Sequence, residues 1–143
     1  MKNIFEELRK DHETQRDLLD AIVDTSGKTD ARKRMYKALK DELTRHAKYE
    51  EQNFYAPLMK MDMTQELARH SVAEHKDIDD LIEKIDDLDL DSPTWLKYVK
   101  DLDHLVKHHL DEEEREVFPV AGRALNQTEK RELGKDYSQN MQA

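Results

Sequence analysis

The 143-residue chain is the size of one domain, spanning 1–143, with a single core and no room for a separate effector unit. Its formal charge of -9, without a basic stripe, opposes binding to nucleic acid, and zero cysteines exclude disulfides, thiolate metal sites and thiol catalysis. No segment approaches the ~20 apolar residues that span a bilayer, and the start Met1-Lys2-Asn3-Ile4-Phe5 has no uninterrupted apolar stretch, so we expect a soluble, cytoplasmic protein with no membrane partner.

With 40% charged residues, the chain can bury a core only if its few apolar residues recur on one face. They do so at a helical period, and 3 Gly and 3 Pro leave few turns, so the class read is all-α. Helix 1 is predicted from about Asn3 to Asp24, with Phe5, Leu8, Leu19 and Ile22 as its stripe and His12 and Gln15 in the missing places. Helix 2 should run from about Asp30 to Leu58, carrying Tyr36, Leu39, Leu43 and Phe54, with His46 and Glu50 between them and Pro57 near its end. Helix 3 should start at Thr64 as N-cap and reach about Leu88, its stripe of Ala68, Ser71, Ile78, Ile82 and Ile85 interrupted by His75. Asp91-Ser92-Pro93 reads as a cap followed by first-turn proline, opening helix 4 through Val99, Leu102, Val106, His109 and Glu113 to about Pro119. Thr128 is expected to cap a short fifth helix ending near Tyr137, with Ser138 to Ala143 a frayed tail lacking evident chemistry.

The second half repeats the first. A shift of 63 residues carries His12 onto His75, His46 onto His109 and Glu50 onto Glu113. The apolar frame follows, with Leu39 falling on Leu102, Leu43 on Val106, Tyr55 on Phe118, and Leu19 and Ile22 on Ile82 and Ile85. Two helical hairpins with short connections predict an antiparallel up-down-up-down four-helix bundle, its polar candidates near mid-height.

His-x-x-x-Glu places both side chains on one helix face, since four steps of ~100° return within ~40° of the start. Measured from Leu102, His109 falls at about -20° and Glu113 at about +20°, inside the apolar stripe, and the repeat gives His46 and Glu50 the same angles. A buried, unpartnered carboxylate costs several kcal/mol, and two together also repel. No lysine or arginine shares that stripe at that height, whereas four histidines do, so bound cations are the simplest compensation. Four imidazoles and two carboxylates exceed one tetrahedral zinc and suit a dinuclear iron site, with manganese second. A bridging oxo or hydroxo group would leave a coordination position for O2, peroxide or nitric oxide.

The ordered motifs Asp11-His12-Glu13, His46-Ala47-Lys48-Tyr49-Glu50-Glu51, Glu74-His75-Lys76 and His109-Leu110-Asp111-Glu112-Glu113-Glu114, leading to Val117-Phe118-Pro119, resemble the hemerythrin-like HHE family over nearly the whole chain. The resemblance implies a four-helix bundle around a non-haem di-iron site, with the histidines as terminal ligands and Glu50 and Glu113 bridging. Two departures narrow the function. Oxygen-carrying hemerythrins have a His-x-x-x-His pair on the third helix and a late aspartate ligand, whereas here Asp79 follows His75 by four and the late acid is Glu113. Relatives linked to iron-sulfur repair commonly add a cysteine-containing N-terminal region that this chain lacks.

His108 and Glu112 form a competing pair, but they lie about 120° and 80° off the stripe, and the repeat sets Arg45 and Tyr49 opposite them. His104 is read as solvent-facing and His70 as a surface residue that would otherwise serve as ligand or gate. The methionines are assigned to packing or loops, and Tyr49 and Tyr98 either pack or hydrogen-bond near the site. Three functions stay open: a di-iron protein that binds O2, NO or peroxide or stores or senses iron; a di-iron enzyme that disproportionates peroxide or oxidises iron; and a metal-free helical interaction bundle.

Overall fold

A computed structural model of the chain describes residues 2–142, so the expectation for Ala143 lies outside the described residues. Helix α1 spans Ile4–Ile22. Asn3 caps it in a reciprocal box with Glu6: Asn3 Oδ1 accepts the Glu6 amide at 3.0 Å, and the Glu6 carboxylate returns to the Asn3 amide. Helix α2 begins at Asp30 under Thr29, whose side chain accepts the Arg32 amide, and runs through Asp30–Glu50, a π turn at Glu51–Tyr55, and Ala56–Leu58. Helix α3 is Gln65–Asp86. Helix α4 starts at Pro93 beneath the Ser92 cap and continues as Pro93–Glu112, a π turn at Glu113–Val117, and Phe118–Ala124. Helix α5 is Gln127–Gln142. No strand occurs among the described residues, and the all-α bundle matches the sequence reading.

The end of α4, the capping of α3 and both ends of the fifth helix depart from expectation, whereas α2 ends at Leu58 as expected. Neither proline ends its helix. Each follows a π turn in which the preceding amide reaches back five residues, Ala56 to Glu51 and Phe118 to Glu113. Proline has no N–H for the next bond, so the widened turn absorbs the break and α4 runs on past Pro119 to Ala124. Consecutive residues are buried at Phe54-Tyr55 in the first π turn and at Val117-Phe118 at the end of the second. At the start of α3, Thr64 makes no side-chain cap; its hydroxyl donates instead to the Leu58 carbonyl at 2.7 Å, closing the turn from α2.

The fifth helix is longer than predicted and structural. Asn126, not Thr128, caps it, exchanging hydrogen bonds with Glu129 at 2.8 and 2.9 Å. It packs against α1 and α2, and Gly134 lets it approach so closely that a Cβ there would lie 2.7 Å from Asn3 C and Ile4 N. Residues 138–142 are helical rather than frayed. Tyr137, near the middle, is buried at 1% exposure.

The apolar interior falls into two clusters. One contains Leu19, Ile22, Leu39, Ile82, Trp95 and Leu102; the other contains Ile4, Leu8, Phe54, Leu58, Val117 and Phe118. Between them lies a belt of buried polar side chains.

Candidate metal centre

The belt holds all six residues singled out above. His12 on α1, His46 and Glu50 on α2, His75 on α3, and His109 and Glu113 on α4 are each at most 4% exposed. Each imidazole turns Nε2 inward. His12 Nε2 lies 2.9 Å from Glu113 Oε1, and His109 Nε2 lies 3.7 Å from Glu113 Oε2. His46 Nε2 lies 3.5 Å from Glu50 Oε2, and His75 Nε2 lies 3.1 Å from Glu50 Oε1. Each carboxylate therefore offers one oxygen toward the His12–His46 side and the other toward the His75–His109 side. The rings pair in the same way, His12 with His46 at 5.3 Å between centroids and His75 with His109 at 4.9 Å.

The inward atoms are short of hydrogen bonds. Nε2 of His12, His46 and His109, both oxygens of Glu50 and Oε1 of Glu113 are buried without a hydrogen-bond partner; the 2.9 Å approach of His12 to Glu113 lacks hydrogen-bond alignment. So many orphaned donor-type atoms aimed at one point are what a cation would satisfy. They form two overlapping sets, His12, His46, Glu50 and Glu113, and Glu50, His75, His109 and Glu113. Within each set the ligand-type atoms lie within 4.8 Å of one another. An all-nitrogen-and-oxygen donor set of this kind fits iron.

The outward Nδ1 atoms are held by groups that sequence reasoning did not assign. His12 Nδ1 lies 2.6 Å from Glu114, His75 Nδ1 2.7 Å from Glu51 and His109 Nδ1 2.8 Å from Glu74. The signal was present, because Glu51 falls on Glu114 under the 63-residue shift, as Asp11 does on Glu74. Asp11 is one methylene shorter, however, and reaches His46 Nδ1 only at 3.4 Å. The gap is filled by Tyr137 from α5, whose hydroxyl lies 2.6 Å from His46 Nδ1 and donates to Asp11. Tyr137 has no repeat partner in the bundle and left no signal in the sequence. A second unassigned group, the Tyr55 hydroxyl, donates to Glu113 Oε2, whereas Phe118, its repeat mate, has none to offer Glu50.

Burial disfavours charge here, yet the partners prevail at His12, His46 and His75. Against desolvation, Glu50 and Asp11 push His46 up to about 10, Glu50 and Glu51 push His75 up to about 9, and Glu113 and Glu114 raise His12. Burial also opposes ionisation of Glu50, but His46 and His75 hold it well below the usual carboxylate range; Glu113, buried beside that charge, is raised well above it. Outside, burial likewise disfavours a charged Glu114, but His12 and Arg16 hold it down at about 2.

The rejected candidates lie elsewhere. His70, His104 and His108 are exposed, Tyr98 packs against the cluster that contains Leu19 and Trp95, and Tyr49 against the one that contains Ile4 and Phe54.

Fold and site together define an all-helical bundle with a buried His/Glu cluster able to hold metal. Residues 3–121 match the family described as Hemerythrin HHE cation binding domain. The chain belongs to this hemerythrin HHE family. The crystal structure of a hemerythrin HHE cation-binding domain-containing protein from Mycobacterium kansasii has the same fold, with a TM-score of 0.89 and 23% identity, covering 99% of this chain and 86% of that one. No curated protein matches the chain. Among the described residues, no helix is long and apolar enough to cross a membrane.

Proposed function

We propose that the chain is a non-haem di-iron protein that binds a small ligand, O2, NO or peroxide, at its buried centre. The observation that carries this reading is the pair of overlapping four-donor sets sharing Glu50 and Glu113, each carboxylate facing both sets. In this reading His12 and His46 would hold one ion and His75 and His109 the other, with Glu50 and Glu113 common to both sets. The ions would supply redox chemistry and an open coordination position.

The chain's own residues shape what enters. A cavity of about 10 Å³, near the lower limit for a water-sized guest, borders His46, His75 and His109 and is lined also by Leu43, Ala47, Ile78, Val106, Gln15 and Asp79. Gln15 is 1% exposed, and its Nε2 has no hydrogen-bond partner. It stands where the repeat puts Ile78, so Gln15 offers a donor to a ligand oxygen where the other half offers an apolar side chain, with Asp79 as a second polar group in the lining. So small a space favours a ligand of very few atoms over larger substrates.

The test is anaerobic reconstitution with ferrous iron, followed spectroscopically on adding O2, NO or peroxide. The binding reading predicts reversible adducts with slow turnover, and faster ligand release in Gln15→Ile. Sustained peroxide consumption or iron oxidation, abolished by Glu50→Ala, would establish the enzyme reading instead. No adduct with any ligand would defeat both.

A further inference from the structure

The residues that fall off the inward stripe meet on the surface. Helix α3 carries His70 and Glu74, and α4 carries His108 and Glu112, each pair spanning one helical turn. His70 Nε2 crosses between helices to lie 2.9 Å from Glu112 Oε1, closer than the 3.5 Å to Glu74 Oε2 on its own helix. His108 Nε2 lies 3.3 Å from Glu112 Oε2. One ligand-type atom each from His70, Glu74 and Glu112 lies within 4.8 Å of the others. Two independent i,i+4 ion pairs would leave each histidine on its own glutamate; here two carboxylates converge on one imidazole from different helices. Among the described residues, no lysine or arginine forms an ion pair with either carboxylate. The carboxylates are largely sheltered, with side chains 14% and 19% exposed, while the two imidazoles, at 58% and 68%, are free to swing onto an arriving ion.

We propose that His70, Glu74 and Glu112, with His108 as a fourth arm, form a surface site for one divalent transition-metal ion, distinct from the buried cluster. Two imidazole nitrogens with two carboxylates suit zinc or ferrous iron, whereas calcium and magnesium favour all-oxygen shells. The surface site touches the interior through one side chain. Glu74 faces His70 with Oε2 and accepts from His109 Nδ1 with Oε1 at 2.8 Å. An ion outside would draw on the same carboxylate that orients an inner imidazole, so its occupancy is felt at His109. That coupling, unlike the site itself, rests on the di-iron reading.

The experiment is a titration of the full chain with Zn2+, observing the imidazole 15N resonances of all seven histidines. The expected result is a joint shift of His70 and His108 Nε2 that follows a single saturable binding step. In His70→Ala the His108 shift weakens, with apparent affinity lowered about tenfold or more. Glu112→Gln, which keeps the side-chain shape, gives the same loss with unchanged helical circular dichroism. Unmoved His70 and His108 resonances, or a His108 shift that persists unaltered in both variants, would overturn the proposal. His12, His46, His75 and His109 report the buried cluster separately, so failure there is visible apart from failure here.

Discussion

Tyr137 stands in for a missing methylene. Glu74 reaches His109 directly, but its repeat mate Asp11 stops 3.4 Å short of His46, and the Tyr137 hydroxyl carries the contact across. Outer-shell groups that fix an imidazole typically contribute 10–100-fold to metal affinity. Tyr137→Phe should therefore weaken binding of one of two ions by about that factor, read by competition with a chelator; unchanged affinity for both would show that Asp11 suffices. The raised histidines give a second prediction. In the metal-free chain His46 and His75 stay protonated up to about 10 and about 9, above the ordinary imidazole value, and their protons must leave before Nε2 can bind metal. Loading near neutral pH should release about two or more protons per chain, with affinity rising as pH climbs toward 9–10. Calorimetry in buffers of different ionisation enthalpy measures this, and pH-independent loading would contradict it. The sign for stability is opposite. These imidazoles stabilise the metal-free fold fully below their ordinary value, and that contribution is lost as pH rises through 9–10.

Among the elements, what the sequence hid was mostly backbone. Helix α2 was legible to its last residue, because Leu39, Leu43, His46 and Glu50 keep one period, but nothing in that period announces that the helix passes Pro57 through a π turn. Pro119 read as a stop for the same reason. Arg32 was missed because a charged residue in a first helical turn normally faces solvent. It is 2% exposed, donating to Thr25 Oγ1 at 2.9 Å, to the Thr25 carbonyl at 2.7 Å and to the Leu90 carbonyl, and lying 4.4 Å over the Trp95 ring. Arg32 and Trp95 are themselves repeat mates, so they meet where the two hairpins face each other and tie the α1–α2 loop to the α3–α4 loop. Lysine cannot reproduce that fork of donors or its stacking. Arg32→Lys should cost about 2–4 kcal/mol in denaturant unfolding, and a loss near zero would remove this tie from the account.

At the scale of the whole molecule, the repeat made the bundle readable, and its breaks make the two halves of the candidate site unlike. The outer partners of the histidines stitch all four helix interfaces: Asp11 and Tyr137 at His46 between α1 and α2, Glu51 at His75 between α2 and α3, Glu74 at His109 between α3 and α4, and Glu114 at His12 between α4 and α1. The six inward residues could be found because apolar periodicity exposes any polar residue that interrupts it. Where the halves differ, Gln15 against Ile78 also shows as a polar gap in its stripe, whereas Tyr55 against Phe118 carries no such marker, since each is unremarkable in its own helix. The docked fifth helix lies outside the repeat altogether. The central claim, two ions held by His12, His46, Glu50, His75, His109 and Glu113, is tested most directly by counting iron per chain after anaerobic reconstitution of the wild type, His109→Ala and His108→Ala, with loosely bound iron removed by a weak chelator. Two, fewer than two, and two are expected; a wild type that retains none, or a His109→Ala variant that still retains two, would contradict the two-ion centre.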